Sequence, residues 1–325
     1  MDNHYFINFL FLFFFLLINI YILKNLSLFA QKLSLIDYQK NKAHNFDTPM
    51  FGFFFFLNLN IFLFLLILYE KLNTNALAYN LLISSFIIIG YLDDRFNLNV
   101  LIRFFFSLLV MSIFYFYNPM NIYVSFNFNY LLNYILLIFL SLGFIHLVNI
   151  TDGINGLVCS LFIYSCVYYF FKGFIYLELF FQSLLIFSLI GIIVFIISNF
   201  FGKCFLGNTG SYLIAIIISI IYTQLYTQQL VEYSDILLIF LIPLLDGLRV
   251  TIKRILNKKN PFKGDLLHFH HMIRNNKIKI LAYYLIIFMP SLCNFFYKDF
   301  TILISMFAII IFFLFFAFHN KIRKY

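Results

Sequence analysis

The chain has no tryptophan, only five prolines and four cysteines, and little charge. Each scarcity excludes something. Asp, Glu, Lys and Arg make up 11% of the 325 residues, against about 25% in a soluble domain, which excludes a water-soluble fold. Cys159, Cys166, Cys204 and Cys293 show no CxxC spacing, so neither a disulfide framework nor a zinc site is indicated. Cys159 and Cys166 fall on one apolar stretch and read as small packing hydrophobes. The first apolar segment, 4–23, lacks a basic leader and a small-residue cleavage site, so a retained helix is expected and not a signal peptide.

What the chain does have is hydrophobic residues, 63% of the total, with 50 Phe and 23 Tyr. A Phe-rich chain also full of Ile, Asn and Lys reflects AT-rich codon supply, and the Phe excess reads as lipid-facing filler. A bilayer core needs roughly 20 apolar residues per helix, and the sequence offers about 11 such segments. They are 5–23, 50–69, 76–92, 100–117, 130–148, 157–171, 175–197, 212–226, 236–250, 280–296 and 300–318. They run back to back, which predicts an all-α polytopic membrane protein made of one domain over 1–325.

Basic residues orient it. Of the 22 Lys and Arg, all but Lys71, Lys172 and Lys298 lie on the first connection, on every second one after it, on the flanking helix ends and at the C-terminus. By the positive-inside rule the N-terminus faces out, the C-terminus faces in and the span number is odd. The formal charge of +9 belongs to this asymmetry and to anionic lipid; nucleic acid is not needed to explain it.

The inward loops hold nearly all the reactive side chains: Asp93-Asp94, Asn149, Asp152-Gly153, Asn155-Gly156, Gly207-Asn208-Thr209-Gly210-Ser211, Asp246, and His268, His270 and His271 after Asp265. Each has a bland reading. Two adjacent aspartates are more often a solvated helix end than a catalytic pair, although hard carboxylate oxygens also suit Mg²⁺ or a base. The glycine turns at 149–156 and 207–211 could be a plain loop and a helix cap, or could aim backbone N–H groups at a phosphate. The histidines could bind a transition metal or sit in solvent. Set among Lys253, Arg254, Lys258, Lys259 and Lys263, they read better as donors to a pyrophosphate or sugar.

In their order, these elements stop looking independent. Leu92-Asp93-Asp94-Arg95-Phe96-Asn97-Leu98 with Arg103, Asn149-Ile150-Thr151-Asp152-Gly153, Phe205 through Ser211, Pro243-Leu244-Leu245-Asp246, and Asp265 through His271 resemble the polyprenyl-phosphate N-acetylhexosamine-1-phosphate transferases, of the glycosyltransferase family 4 type. Leu35-Ile36-Asp37 through Lys42, His44, Pro49 and Gly52 are similar to that family's first cytoplasmic loop. The resemblance covers roughly 30–275. The spacing Asp265, His268, His270-His271 resembles the undecaprenyl-phosphate GlcNAc-1-phosphate transferase-like branch. The peptidoglycan branch, with three consecutive histidines and ten spans, transfers phospho-MurNAc-pentapeptide and is the alternative.

The resemblance implies a Mg²⁺-dependent enzyme (or one using Mn²⁺) of the bacterial inner membrane, with its site on the cytoplasmic face. A UDP-sugar and undecaprenyl phosphate would be its substrates, UMP a product, and a cell-surface polysaccharide the destination. A homodimer is a further family trait. It implies catalytic roles for Asp93, Asp94 and Asp152, substrate contacts for Asn149, Asn155, Arg254, His268, His270 and His271, and metal ligation by Asn149, Asn208 and Asp94. The chain departs from the family pattern where Asn155 and Asn208 replace aspartates, where His146 replaces a common Asn, and where Leu266 replaces an arginine. An amide oxygen still coordinates but lacks the full charge that Mg²⁺ favours. Weakened metal affinity, a shifted metal role for Asp94 and Asp152, or an inactive lipid-binding homologue follow as alternatives. A transporter is the competing class, and the spans show no inverted repeat and few mid-membrane charges to support it.

Overall fold

A computed structural model of the chain describes residues 2–38, 47–118, 130–260, 267–273 and 276–322. Lys42, His44, Lys263, Asp265 and Leu266, all used above, lie outside the described residues. The elements are α1 (Asp2–Lys24), α2 (Leu26–Leu33), β1 (Ile36–Asp37), β2 (Thr48–Pro49), α3 (Gly52–Glu70), α4 (Thr74–Phe96), α5 (Val100–Tyr117), α6 (Tyr130–Thr151), α7 (Leu157–Gly173), α8 (Leu179–Phe200), α9 (Gly207–Thr227), α10 (Tyr233–Leu256), α11 (Phe269–Ile273), α12 (Lys277–Phe296) and α13 (Thr301–Ile322).

Among the described residues, ten helices are long and apolar enough to cross a membrane, and the protein is an all-α, multi-pass membrane protein. The remaining expected segment, 236–250, lies inside α10. That helix also carries Asp235, Asp246, Arg249, Lys253 and Arg254, too much charge for the composition the other ten share. Helices are the required solution here, since no water is present in the bilayer core to satisfy open backbone groups. Their ends are written locally. Asn73 accepts the Ala76 N–H at 3.0 Å to start α4, and Asn276 accepts the Lys279 N–H at 3.0 Å to start α12. Asn97 ends α4 in the left-handed conformation at φ 50°, a state asparagine tolerates better than most residues.

The chain divides into two compact units, Met1–Asn149 with Asn155–Leu230, and Ile150–Ile154 with Val231–Tyr325. In the first, α9 is the hub: 78% of its span is buried, against 11% for α1, and it packs on α3, α4 and α7. Small residues permit the approach. A Cβ on Gly90 of α4 would stand 2.9 Å from Thr209 Cβ, and one on Gly52 of α3 would stand 2.8 Å from Gly210 Cα. Such contacts drive helix association where lipid offers no hydrophobic force. β1 pairs antiparallel with β2. The chain after β2 pairs in turn with the segment before α9, through Phe205 N–H to Pro49 O (3.0 Å) and Phe51 N–H to Phe205 O (2.8 Å). The start of α9 is thereby fixed to the start of α3. In the second unit, α10, α12 and α13 pack on one another and α11 rests on α12.

Candidate functional site

In the first unit the paired aspartates divide their labour. Both lie in the last turns of α4 and both are buried, at 1% and 7% exposure. Asp94 reaches across to the start of α9: Oδ1 accepts the Asn208 N–H at 2.6 Å, and Oδ2 accepts the Thr209 N–H at 3.0 Å and the Thr209 hydroxyl at 2.7 Å. A carboxylate from one helix therefore caps another, filling the donors that a helix N-terminus leaves open and meeting its positive end. Gly207 allows this. It holds φ +76°, and a Cβ there would come within 2.9 Å of Asp94 Oδ2. The anion that these N–H groups bind is Asp94, so they are not open to a phosphate as the glycine-rich run suggested.

Asp93 is tied differently. Its Oδ2 accepts the Tyr212 hydroxyl at 2.7 Å and Arg103 Nη1 at 3.2 Å. Both bonds fall on one oxygen, which leaves Oδ1 without a partner among the described residues. Arg103 also has a buried Nε with no partner among them. Nearby in this network, Ser211 donates to Asn149 Oδ1 at 2.7 Å, linking α9 to the end of α6. Asn208 is half-buried, and its bond to Asp94 uses only the backbone. Asn155 is exposed; its neighbour Gly156 donates to Asn199 Oδ1 at 2.6 Å. One corner of the first unit thus gathers Asp93, Asp94, Asn149 and Asn208, residues separated by up to 115 positions.

The second unit holds the histidines. Asp246 of α10 is their hub, buried at 2%. Its Oδ1 accepts Arg249 Nε (3.1 Å) and Nη2 (2.7 Å), and its Oδ2 accepts the Phe269 N–H (2.9 Å) and pairs with His268 Nδ1 (3.2 Å). A carboxylate only accepts, so His268 Nδ1 carries the hydrogen in this bond. Arg249 also donates to Leu267 O at 2.8 Å and stacks on Phe316, 4.3 Å from the ring centre. Phe269, fully buried, is the mechanical anchor, in edge contact with Tyr283, Phe312, Phe315 and Phe316.

His270 stacks on His268 with ring planes 11° apart and abuts His271 at 4.3 Å between centroids. Burial, helped by His271, pushes the His270 imidazole down to about 3, so it is neutral at physiological pH. Gly153, which belongs to this unit with Asp152, presses on the same rings: a Cβ would collide with His270 and stand 2.6 Å from His271 Cε1. Asp152 is exposed, whereas Arg254 is buried at 6%. Arg249 and Tyr212 are the residues that sequence reasoning missed. The signal was present in each case: Arg249 stands one helical turn after Asp246, and Tyr212 directly follows Ser211.

The arrangement supplies neutral and cationic donors in one unit and oxygen acceptors with a partly free arginine in the other. Among the described residues, no group of three or more His, Cys, Asp or Glu could hold a metal ion. The oxygen-only set of the first unit is completed by amides.

Comparison with known proteins points one way. Residues 76–226 match the model of glycosyl transferase family 4, a stretch that runs from α4 to α9. An undecaprenyl-phosphate alpha-N-acetylglucosaminyl 1-phosphate transferase of Thermotoga maritima is 26% identical over 257 residues, covering 79% of this chain and 78% of its own. A probable undecaprenyl-phosphate N-acetylglucosaminyl 1-phosphate transferase of Bacillus subtilis is 26% identical over 248 residues, 70% of this chain and 68% of its own. A phospho-N-acetylmuramoyl-pentapeptide-transferase of Staphylococcus aureus is 30% identical over 153 residues, 46% of each chain.

Proposed function

We propose, for a chain whose residues 76–226 match the glycosyl transferase family 4 model, that it transfers a sugar-1-phosphate from a UDP-sugar to undecaprenyl phosphate. The sugar is of the N-acetylhexosamine type, UMP is released, and the lipid-linked product starts a cell-surface polysaccharide. The work takes place at the cytoplasmic face of a bacterial inner membrane. The observation that carries this reading is the meeting of Asp93, Asp94, Asn149 and Asn208 at the start of α9, the same residues on which the family resemblance rests.

In this reading a lipid phosphate oxygen attacks the β-phosphorus of the UDP-sugar. The bond between the two phosphates breaks, and UMP leaves with the bridging oxygen. A phosphate monoester is already nucleophilic near neutral pH, so the protein needs chiefly to position two anions that repel each other. Arg103, with its Nε still available, and the Asp93 Oδ1 beside it suit the handling of one phosphate and its residual proton. His270, His271 and Arg254 suit the nucleotide phosphates as imidazole and guanidinium donors, and His268, held by Asp246, stacks beside His270. Asp152 and Asn155, both exposed, are suited to meet the nucleotide-sugar.

The resemblance also calls for Mg²⁺, and the donor set fits it: hard oxygens from Asp93, Asn208 and Asn149. Asp94 fits less well, since its oxygens already accept three hydrogen bonds. When bound, the ion would neutralise pyrophosphate charge.

The test is direct. Membranes containing the chain are incubated with undecaprenyl phosphate, Mg²⁺ and UDP-N-acetylhexosamine labelled in the sugar. Label passing into the organic phase supports the transfer, and UDP-MurNAc-pentapeptide in the same assay separates the peptidoglycan activity. No transfer from any UDP-sugar, with undecaprenyl phosphate still bound, would leave a lipid-binding homologue.

A further inference from the structure

The socket that takes Phe269 has one polar wall. His319, in the last turn of α13, meets the Phe269 ring edge-on, with centroids 5.7 Å apart and planes at 80°. It is buried at 7% exposure. Lys279 Nζ, from the first turn of α12, lies 2.9 Å from His319 Nδ1. An ammonium only donates, so the Nδ1 lone pair is the acceptor.

This bond joins residues 40 positions apart and closes the open end of the α12–α13 hairpin. The turn end is held separately. Asn294, fully buried, accepts the Thr301 hydroxyl at 2.5 Å and donates to Asp235 Oδ1 at 3.3 Å. Lys279 stands about 22 Å from Asn294 along α12, at roughly 1.5 Å per residue, too far for that tie to fix the open end. Apolar helices in lipid gain no hydrophobic force from one another, so close packing and polar bonds decide how they sit. What the open end encloses is Phe269, between Tyr283 of α12 and Phe312, Phe315 and Phe316 of α13. Splaying the hairpin there would release Phe269, and with it the next two residues, His270 and His271.

We infer that His319 is a positioning residue for the histidine loop: held by Lys279, it keeps α12 and α13 closed on Phe269 and so fixes where His270 and His271 stand. The inference rests on the reading that these two rings meet the nucleotide phosphates. His319 lies outside the 76–226 match, so no role for it follows from the family model.

Hydrogen exchange and transfer kinetics on the full chain in nanodiscs test it together. His319→Phe keeps a ring against Phe269 and removes the acceptor; Lys279→Met keeps the stem and removes the donor. In each, backbone exchange at Phe269–Ile273 should rise about fivefold while that of α4 and α9 stays unchanged. The UDP-sugar KM should rise about fivefold, the scale of one interhelical polar bond, with kcat held within about twofold. The double variant should be no worse than either single, since both remove the same bond. His319→Asn, whose amide oxygen stands near the Nδ1 position, should recover most of the loss. Unchanged KM in His319→Phe, multiplied effects in the double variant, or a KM rise without faster exchange at Phe269–Ile273 would overturn the inference. A parent chain that transfers no sugar-phosphate would instead sink the transferase reading, and the latch would then stand or fall on exchange at α11 alone.

Discussion

Two buried aspartates, one in each unit, hold their surroundings by opposite means. Among the described residues Asp94 touches no cation: two backbone N–H groups and a hydroxyl satisfy it at the start of α9. Asp246 carries Arg249, a histidine and one backbone N–H. The first is a carboxylate used as a helix cap, answered by dipoles. The second is an ion pair used as a peg, from which a five-residue helix and its histidines hang. Dipoles leave the neighbouring Arg103 and Asp93 Oδ1 able to meet other groups, whereas the ion pair uses up its arginine. The first unit is therefore built to present partly free charge, and the second to hold its histidine rings in place.

Breaking the ion pair should have the largest effect. Arg249→Met strands a carboxylate at 2% exposure, and removing one partner of a buried pair costs about 3–5 kcal/mol. Detergent thermal unfolding should show the loss, and Arg249→Lys should recover part of it while still losing the Leu267 tie. The cap comes next. Asp94→Asn keeps the shape but turns one acceptor into a donor facing N–H groups, at a cost of about 1.5–3 kcal/mol for hydrogen bonds to a charged group. Sugar-phosphate transfer should fall with it, because α9 carries Asn208 and Ser211.

Gly153→Ala sharpens the contrast from the other side. Its Cβ must displace His270, an overpacking cost of about 1–3 kcal/mol, and the UDP-sugar KM should rise by more than kcat falls. Acid should also act on the second unit. His270 sits at about 3 when folded, against 6.5 in its ordinary state. The unfolded chain binds the extra proton, so this contribution to stability is full above pH 6.5 and declines as pH falls toward 3, by about 1.4 kcal/mol per unit. His270→Gln should flatten that decline in unfolding scans between pH 7.5 and 5.5. The smallest expected change is at Asn208: Asn208→Asp restores a carboxylate, and the Mg²⁺ concentration for half-maximal transfer should drop by about tenfold.

How much of this was legible beforehand follows from where each signal is written. Spans depend on runs of apolar residues, so ten of the expected segments coincide with helices that meet a spanning composition; 236–250 does not, because its helix also carries the hub of the second unit. Asp93, Asp94, Asn149 and Asn208 stood out as polar residues against an apolar background. Their division of labour did not, since the bonds from Asn208 and Thr209 to Asp94, like that from Tyr212 to Asp93, cross more than 110 positions and no local pattern encodes them. Phe269 was hidden for the opposite reason: one anchor ring among 50 Phe has no distinguishing neighbourhood until α12 and α13 close around it.

The central claim is that the Asp93–Asp94–α9 corner is the seat of phosphoryl transfer. UMP–UDP-sugar exchange in purified membranes, with undecaprenyl phosphate and Mg²⁺ or Mn²⁺, tests it most directly against a chain carrying both Asp93→Asn and Asp94→Asn. Exchange with UDP-N-acetylhexosamines that disappears in the double variant, with the protein still folded and inserted, is the predicted result. Undiminished exchange in that variant would contradict the claim.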